Sequence, residues 1–254
     1  MTRPGGPAVC RFTLAPGAQA AFTGRTGGHS QLPYDTLNIG AGSGDSPQTV
    51  RRNRDLVAAA CGLTADRLVW MRQIHSADVA RVSAQPGQPD QPEQPAPRDA
   101  SFTSAPGLAL GVLSADCPGV LVADPDAQLV GAAHSGRQGT ARGVVPALIR
   151  AMTAAGADPA RMHAVIGPGI CGGCYEVPAA MRDEVDAAVP GAGCLTKAGT
   201  PGLDLRAGIA GQLAGLGVHQ VRADGRCTAE DPALYSYRRD GRTGRFAALV
   251  WLGP

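Results

Sequence analysis

The order of apolar runs along this chain predicts a mixed α/β fold. Three observations carry that reading. Three β-leaning runs, at 108–114, 119–123 and 129–133, follow one another closely, with Asp124-Pro125-Asp126-Ala127 as the turn between the second and third. Elsewhere, similar runs alternate with helical patterns, so the sheet holds both hairpin and crossover connections. The 35 Gly and 21 Pro supply the corners such a path needs. No internal repeat is visible.

Taken in order, residues 8–14 and 20–23 read as early strands. A Gly-rich region from Gly24 to Ser46 follows, and its glycines do not fit the phosphate-cradling spacings. Ser46-Pro47 reads as N-cap and first residue of a helix carrying Val50, Leu56, Val57, Ala60 and Cys61 on one face and ending near Gly62. Residues 68–70 and 73–82 read as strands, with His75 early in the second. The Pro/Gln-rich stretch at 83–99 has almost no apolar side chains and reads as a solvated surface loop outside the core. Val144, Val145, Leu148, Ile149 and Met152 fall at helical spacing before Gly156. A buried strand at 162–167, helices over 179–188 and 206–216, and a strand at 218–222 come next. Residues 239–242 form the last turn, and 246–252 the closing strand.

Composition excludes several classes. At 44% hydrophobic and 17% charged the chain is globular. A net charge of +2 leaves no nucleic-acid footprint, and 4% aromatic content argues against stacking platforms for single strands. No apolar run reaches the roughly 18 residues of a membrane span. The N-terminus lacks a signal-peptide h-region. Seven scattered cysteines fit a reduced, cytoplasmic setting better than a disulfide framework.

Chemistry concentrates around the hairpin. A two-residue loop at Pro125-Asp126 would set Cys117 directly opposite His134, with Cβ atoms roughly 5 Å apart. Pro118 lacks an N–H, and a one-residue slip would throw the two side chains to opposite faces. Of the five histidines, His163 and His219 sit inside apolar strand signals and read as packed or rim residues, and His29 lies in a loop with no evident partner. His75 and His134 are each followed by small residues that leave room for a ligand. His75, Cys117 and His134 therefore form a candidate His-Cys-His set, three protein ligands with a fourth position open. A metal-free Cys–His dyad and coincidence remain as alternatives. Cys10, Cys61 and Cys194 read as buried small hydrophobes. Cys171-Gly-Gly-Cys174, lacking a second pair, is half a zinc site and reads as structural. Arg238, Arg239, Arg242 and Arg245, near Tyr235 and Tyr237, offer either an anion site or a solvated charged face.

Several stretches together resemble one family: FTGRTGGHS, YDTLNIG, GDSPQTVRRNRDLVAAACGL, VWMRQIHSADV, SADCPGVLVADP, VGAAHSG, IGPGICGGCYEV and SYRRDGRTGRFAALVWL. They are similar, in order from about residue 20 to 252, to the bacterial YfiH-type laccase-domain or "polyphenol oxidase" proteins, also called purine nucleoside phosphorylases and peptidoglycan editing factors. The resemblance implies a single domain over 1–254, with mixed β-sheets sandwiched by helices in α/β/β/α layers. It also implies one Zn2+ held by His75, Cys117 and His134. Implied activities are phosphorolysis of adenosine, inosine, guanosine and methylthioadenosine, and deamination of adenosine. Within the shared stretches Arg25, Asn38, Gln73 and Arg137 stand as candidates for touching substrate or supporting the ligands. Two departures stand out: Gln138 replaces a usual Arg in Gly136-Arg137-Gln138-Gly139, and the usual IGPCIGPCCYEV is here IGPGICGGCYEV, which makes Cys171 look dispensable.

The laccase name is not matched by the residues. A multicopper oxidase is built from imidazoles in paired HxH motifs, and the sequence has none, so copper is not expected. The leading expectation is a monomeric zinc-dependent enzyme acting on purine nucleoside and phosphate, with no nucleic-acid or membrane partner. Its alternatives are a Cys–His hydrolase editing a peptidoglycan precursor, with Cys117 as nucleophile and His134 as base, and a non-enzymatic binding protein.

Overall fold

A computed structural model describes residues 6–83 and 97–253. Its strands are β1 (Val9–Ala15), β2 (Ala18–Thr23), β3 (Leu68–Trp70), β4 (Val79–Arg81), β5 (Ala100–Thr103), β6 (Ala109–Ser114), β7 (Gly119–Asp124), β8 (Leu129–His134), β9 (His163–Ile166), β10 (Gly193–Leu195), β11 (Pro201–Leu203), β12 (Gln220–Ala223) and β13 (Phe246–Leu252). The helices are α1 (Pro47–Cys61), α2 (Arg137–Ala141), α3 (Val144–Ala154), α4 (Ala179–Ala188), α5 (Leu205–Gly215) and α6 (Tyr237–Asp240). A five-stranded sheet runs β1-β2-β13-β6-β3, a six-stranded sheet runs β12-β9-β7-β8-β5-β4, and β10-β11 form a ribbon. Both large sheets are mixed: β3 is parallel to β6, β4 to β5 and β12 to β9, while the other pairings are antiparallel.

Alternation along the strands sorts the core into three layers. Leu110, Val112, Ala248 and Val250 from one sheet meet Leu121, Ala123, Val130, Ala132 and Val165 from the other, filling the space between sheets. Their neighbours in sequence face outward. Ala247, Leu249 and Trp70 pack under Val57, Ala58 and Cys61 of α1. Val120, Val122, Ala164 and Ile166 pack under α3 and α5. The result is the α/β/β/α order. Gly119 lets the sheets pack tightly: a Cβ there would lie 2.8 Å from that of Ala248.

Local signals explain the best-defined elements. Val144, Val145, Leu148, Ile149 and Met152 are all buried on α3. Gly62 ends α1 in the left-handed conformation with φ 74°. The α1 face differs slightly from expectation: Asn53 and Ala58 are buried, whereas Leu56 and Ala60 are only half-buried. Ser46 precedes α1, but its side chain makes no capping bond. Cys10 is exposed rather than buried.

Three further expectations need correction. The β7–β8 hairpin pairs His134 with Gly119, not with Cys117. Its loop has four residues, Pro125 to Gln128, because Asp124 Oδ1 accepts the amides of Asp126 (3.0 Å) and Ala127 (3.1 Å) and so opens a wider turn. The register moves by two, which is one full pleat period, so every side chain keeps its predicted face. The expected strand over 73–82 shrinks to β4, because His75 has φ 60° and breaks the extended run. The expected loop at 83–99 lies mostly outside the described residues, but its end does not behave as solvated coil. Pro97 bridges Arg72, and Asp99 is 0% exposed because it satisfies four polar groups of the interior.

Asp124 closes the hairpin from both sides, its Oδ2 accepting Asp158 N (2.8 Å) and Arg161 Nη2 (3.3 Å). Burial alone would raise its pKa. The backbone amides and Arg161 outweigh this and hold it below the ordinary 3.8. Asp124→Ala is expected to cost about 2–4 kcal/mol in a denaturant melt, the sum of several bonds to a buried carboxylate. Because the folded pKa is depressed, this contribution is complete above the ordinary value and is lost as pH falls through the folded one. Melts of wild type and Asp124→Asn should therefore differ at pH 7 and draw together below pH 3.8. A difference that does not change with pH would contradict the assignment.

Candidate metal centre and active site

Two connections that cross from the five-stranded to the six-stranded sheet carry the chemistry. His75 lies on the crossover from β3 to β4, and Cys117 on the short one from β6 to β7. His134 is the last residue of β8.

The His75 loop is pinned to both sheets. The Gln73 side-chain amide donates to Leu113 O and accepts Leu113 N, each at 2.8 Å, tying the loop to β6. Asp99, just before β5, accepts Ile74 N (3.0 Å) and Ser76 N (2.7 Å) through Oδ2. Arg142 donates to the His75 carbonyl at 2.8 Å. The same Asp99 places His134: Oδ1 lies 2.9 Å from His134 Nδ1, and the Asp99 carbonyl accepts His134 N at 2.7 Å. This leaves His134 Nε2 for the centre.

Cys117 follows Asp116, whose φ of 100° is costly for a residue with a side chain. Bonds on every side maintain the conformation. Asp116 Oδ1 accepts Thr228 Oγ1 (2.6 Å) and Ser236 Oγ (2.7 Å), and Oδ2 accepts Arg238 N (2.7 Å). The Ser114 hydroxyl donates to the Cys117 carbonyl. His75 and Asp116 are two of the three non-Gly residues with positive φ among the described residues. Strain is thus concentrated at this site.

The loops bring one donor atom each from His75, Cys117 and His134 within 4.8 Å of one another. The imidazole rings stand 4.9 Å apart at 71°. Gly136 completes the cradle, since a Cβ there would sit 2.7 Å from Cys117 Sγ and 2.9 Å from His75 Cδ2. Two imidazoles and a thiolate, with one face left open, suit a borderline-soft ion.

The electrostatics agree with the geometry. Burial would raise the Cys117 thiol, but the His134 charge and hydrogen bonds from His134 and His75 bring it down to about 6. Burial would lower His134, but the Cys117 thiolate and Asp99 carry it up to about 9. Asp99, also opposed by burial, falls to about 2 through His134 and the Ser76 and Ile74 amides. Without an ion, these opposed shifts favour a thiolate paired with an imidazolium.

A cavity of about 1860 Å³ opens over the three residues, with Trp70, Gln73, Tyr175, Tyr237, Arg238 and Arg245 among its walls. Gln73 therefore both supports the His75 loop and faces the cavity. The other candidates are placed differently. Arg25 is tied to Asp35 and Asp240 at 3.0 Å each and stacks on Tyr235, away from the cavity lining. Asn38 is fully buried, and its Oδ1 accepts Gly40 N and Arg245 N, so it shapes the Arg245 turn. Arg137 reaches the Tyr175 side chain, while Gln138 is exposed and does not line the cavity. The arginine cluster divides: Arg238 and Arg245 face the cavity, while Arg239 is spent on Thr228 O, Asp231 O, Leu234 O and Asp240. His29, His163 and His219 lie outside the cluster. Asp99 and Tyr175 were not foreseen as site residues. The only trace of Asp99 in the sequence is a single acid between a Pro/Gln run and the apolar start of β5.

A layered α/β/β/α fold with an imidazole–thiolate centre on its inter-sheet crossovers defines a distinct structural class. A family model described as multi-copper polyphenol oxidoreductase laccase matches residues 19–253, and the chain belongs to this laccase-like, YfiH-type family. It is 51% identical over 237 residues to a purine nucleoside phosphorylase of Streptomyces coelicolor, covering 93% of this chain and 96% of that one. A purine nucleoside phosphorylase of Mycobacterium tuberculosis is 50% identical over 230 residues, covering 91% and 90%. Among solved structures, YlmD from Geobacillus stearothermophilus superposes with a TM-score of 0.87 at 32% identity, covering 94% of this chain and 93% of that one. Neisseria meningitidis protein NMB0706 gives 0.84 at 33%, covering 97% and 100%. The multi-copper description is not matched by the donors here, as only two of the five histidines join the centre among the described residues.

Alkylation of metal-stripped protein by iodoacetamide should show Cys117 reacting with a midpoint near pH 6. In Asp99→Asn the midpoint should rise, because His134 loses the support for its charge. The same variant is expected to weaken metal affinity by about 10–100-fold, measured by chelator competition. Unchanged affinity would show that Asp99 does not orient the ligands.

Proposed function

We propose that the chain is a zinc-dependent purine nucleoside enzyme, built as one domain and working as a cytoplasmic monomer. It would cleave adenosine, inosine, guanosine and methylthioadenosine with phosphate and deaminate adenosine. The observation that carries this reading is the open His75–Cys117–His134 donor set at the base of a cavity large enough for a nucleoside and an anion together. The names of the Streptomyces and Mycobacterium relatives support the choice of substrate.

In this reading His75, Cys117 and His134 hold the ion, and Asp99 keeps both histidines aimed. The donor set fits zinc: one thiolate, two neutral imidazoles in the bound state, and a cradle that leaves no room for a side chain at Gly136. Zinc bound there supplies Lewis acidity, polarising an oxygen ligand and lowering the pKa of water toward about 7.

The chain's own residues do the rest. Arg238 and Arg245 offer guanidinium groups on the wall for the phosphate dianion. Tyr175, held under Arg238 at 5.0 Å, and Tyr237 offer aromatic surface for the base. In phosphorolysis a phosphate oxygen bonds to C1′ as the C1′–N9 bond breaks, and the purine leaves with a proton on nitrogen. In deamination water adds at C6 and ammonia departs.

A second reading rests on the polarity of the metal-free pair. A Cys117 thiolate beside a His134 imidazolium is the resting state of a Cys–His hydrolase, which would act on an amide such as one in a peptidoglycan precursor. Activity that survives full chelation and is abolished by alkylating Cys117 would select this reading.

Cys117→Ala is expected to lose the ion of this centre and at least 100-fold in nucleoside turnover, followed by metal analysis and product chromatography on the same samples. Absence of free purine base from nucleoside plus phosphate, and of inosine from adenosine, would sink the zinc reading. Arg238→Ala should raise KM for phosphate about tenfold or more, with a smaller effect on deamination, which uses no phosphate but shares the Tyr175 surface that Arg238 packs on.

A further inference from the structure

The CxxC at 171–174 lacks a sequence partner, but the fold supplies one. Cys171, Cys174, Cys227 and Glu230 each place a ligand atom within 4.8 Å of the others. The set is separate from the His75–Cys117–His134 centre, and the cysteines are all free. Among the described residues these are the two groups of three or more His, Cys, Asp or Glu side chains so arranged.

Two turns of the same design build it. After β9 the chain turns at 171–174, with Cys174 N and Tyr175 N both donating to Cys171 O at 3.0 Å. Gly172 and Gly173 allow the turn to pack closely, since Cβ atoms there would lie 2.8 Å from Cys194 Sγ and 3.1 Å from Lys197 Cγ. At 227–231 the pattern repeats, with Glu230 N and Asp231 N donating to Cys227 O at 3.1 and 2.8 Å. Each turn presents two ligands spaced i and i+3 on one side. A parallel bridge between Gly169 and Cys227, continued by Thr228 N to Gly169 O at 3.2 Å, sets the turns together. Cys171 N donates to Cys227 Sγ at 3.3 Å, an amide–sulfur bond suited to a thiolate.

The donor chemistry chooses the ion. Three sulfurs and one carboxylate exclude hard cations, which require oxygen cages, and favour tetrahedral zinc. Zinc–sulfur bonds of about 2.3 Å place tetrahedral sulfurs roughly 3.8 Å apart, compatible with ligand atoms that all lie within 4.8 Å of one another. Glu230 is also paired, through Oε1, with Lys197, which leaves Oε2 for the ion and offsets part of the negative charge.

We propose that Cys171, Cys174, Cys227 and Glu230 bind a second zinc ion in a closed, four-ligand structural site. The ion staples two turns that stand behind the cavity wall. Tyr175 follows Cys174 directly, and Thr228, next to Cys227, holds the Asp116 carboxylate beside Cys117. Cys171 is therefore a ligand rather than dispensable. The assignment is independent of the enzyme's substrate and of the ion at His75, Cys117 and His134.

The test is zinc content by elemental analysis on full-length protein purified with reductant and without chelator. Wild type should carry two equivalents, Cys117→Ala one, and Cys117→Ala combined with Cys174→Ser none. In cobalt-substituted Cys117→Ala, the remaining ion should show intense thiolate-to-cobalt charge transfer. Glu230→Gln keeps all three thiols, so its fold should be preserved. It should release zinc to a chelator at least ten times more readily than wild type does, even if Cys174→Ser proves insoluble. The proposal is overturned if Cys117→Ala binds no zinc, if Glu230→Gln and wild type give the same chelator profile, or if peptide mapping finds Cys171 and Cys174 joined as a disulfide in the isolated protein.

Discussion

The site depends on one carboxylate. Asp99 has no solvent exposure, and each of its oxygens is committed: Oδ1 to the His134 ring, Oδ2 to the amides on either side of His75. A buried ionised acid is tolerated only when its bonds repay the loss of water, and charge-assisted bonds of this kind contribute roughly 1.5–3 kcal/mol each. The two imidazoles are thus not positioned independently. A single group fixes the tautomer of one and the backbone of the other, and removing it would leave the positive φ at His75 without the bonds that hold it. Cys117 has its own anchor in Asp116, which gathers Thr228, Ser236 and Arg238 from the far end of the chain.

Much of the layered fold was legible because period and punctuation agree. The spacing of Val144 to Met152, the apolar run of β13 and the glycine stop at Gly62 each follow from local chemistry, and their boundaries fall where expected. What was not legible involves groups that act at a distance. Asp99 ends a stretch whose composition reads as solvated, and nothing local distinguishes it from a surface acid. Cys227 stands 56 residues from Cys171, so the CxxC looked unpaired until the Gly169–Cys227 bridge brought the turns together. The hairpin register failed for a third reason, since the Asp124 side chain competed with the backbone for turn amides and won. Cys117 lies before β7, outside the pairing, and it is the turn at Asp116 that brings it to His134.

The cavity wall draws on widely spaced parts of the chain. Trp70 comes from the end of β3 and Gln73 from the crossover that follows it, Ile170 and Tyr175 from the segment after β9, and Tyr237, Arg238 and Arg245 from the segment before the last strand. Several of these are held by side chains that do not themselves line the cavity, such as Asn38 under Arg245 and Arg137 beside Tyr175. Residues that the family pattern singles out therefore separate into those facing the cavity and those that shape its frame.

Placing His75 and Cys117 on the crossovers has a mechanical consequence. Both connections leave one sheet and enter the other, whereas His134 belongs to the second sheet alone. Any shift of one sheet against the other would be felt at both crossovers, since Gln73 ties the His75 loop to β6 while Asp99 ties it to His134. The centre is thus a gauge of sheet alignment. The interior packing between Leu110, Val112, Val250 and the facing Leu121 and Val130 thus contributes to the spacing of His75, Cys117 and His134 without touching them chemically.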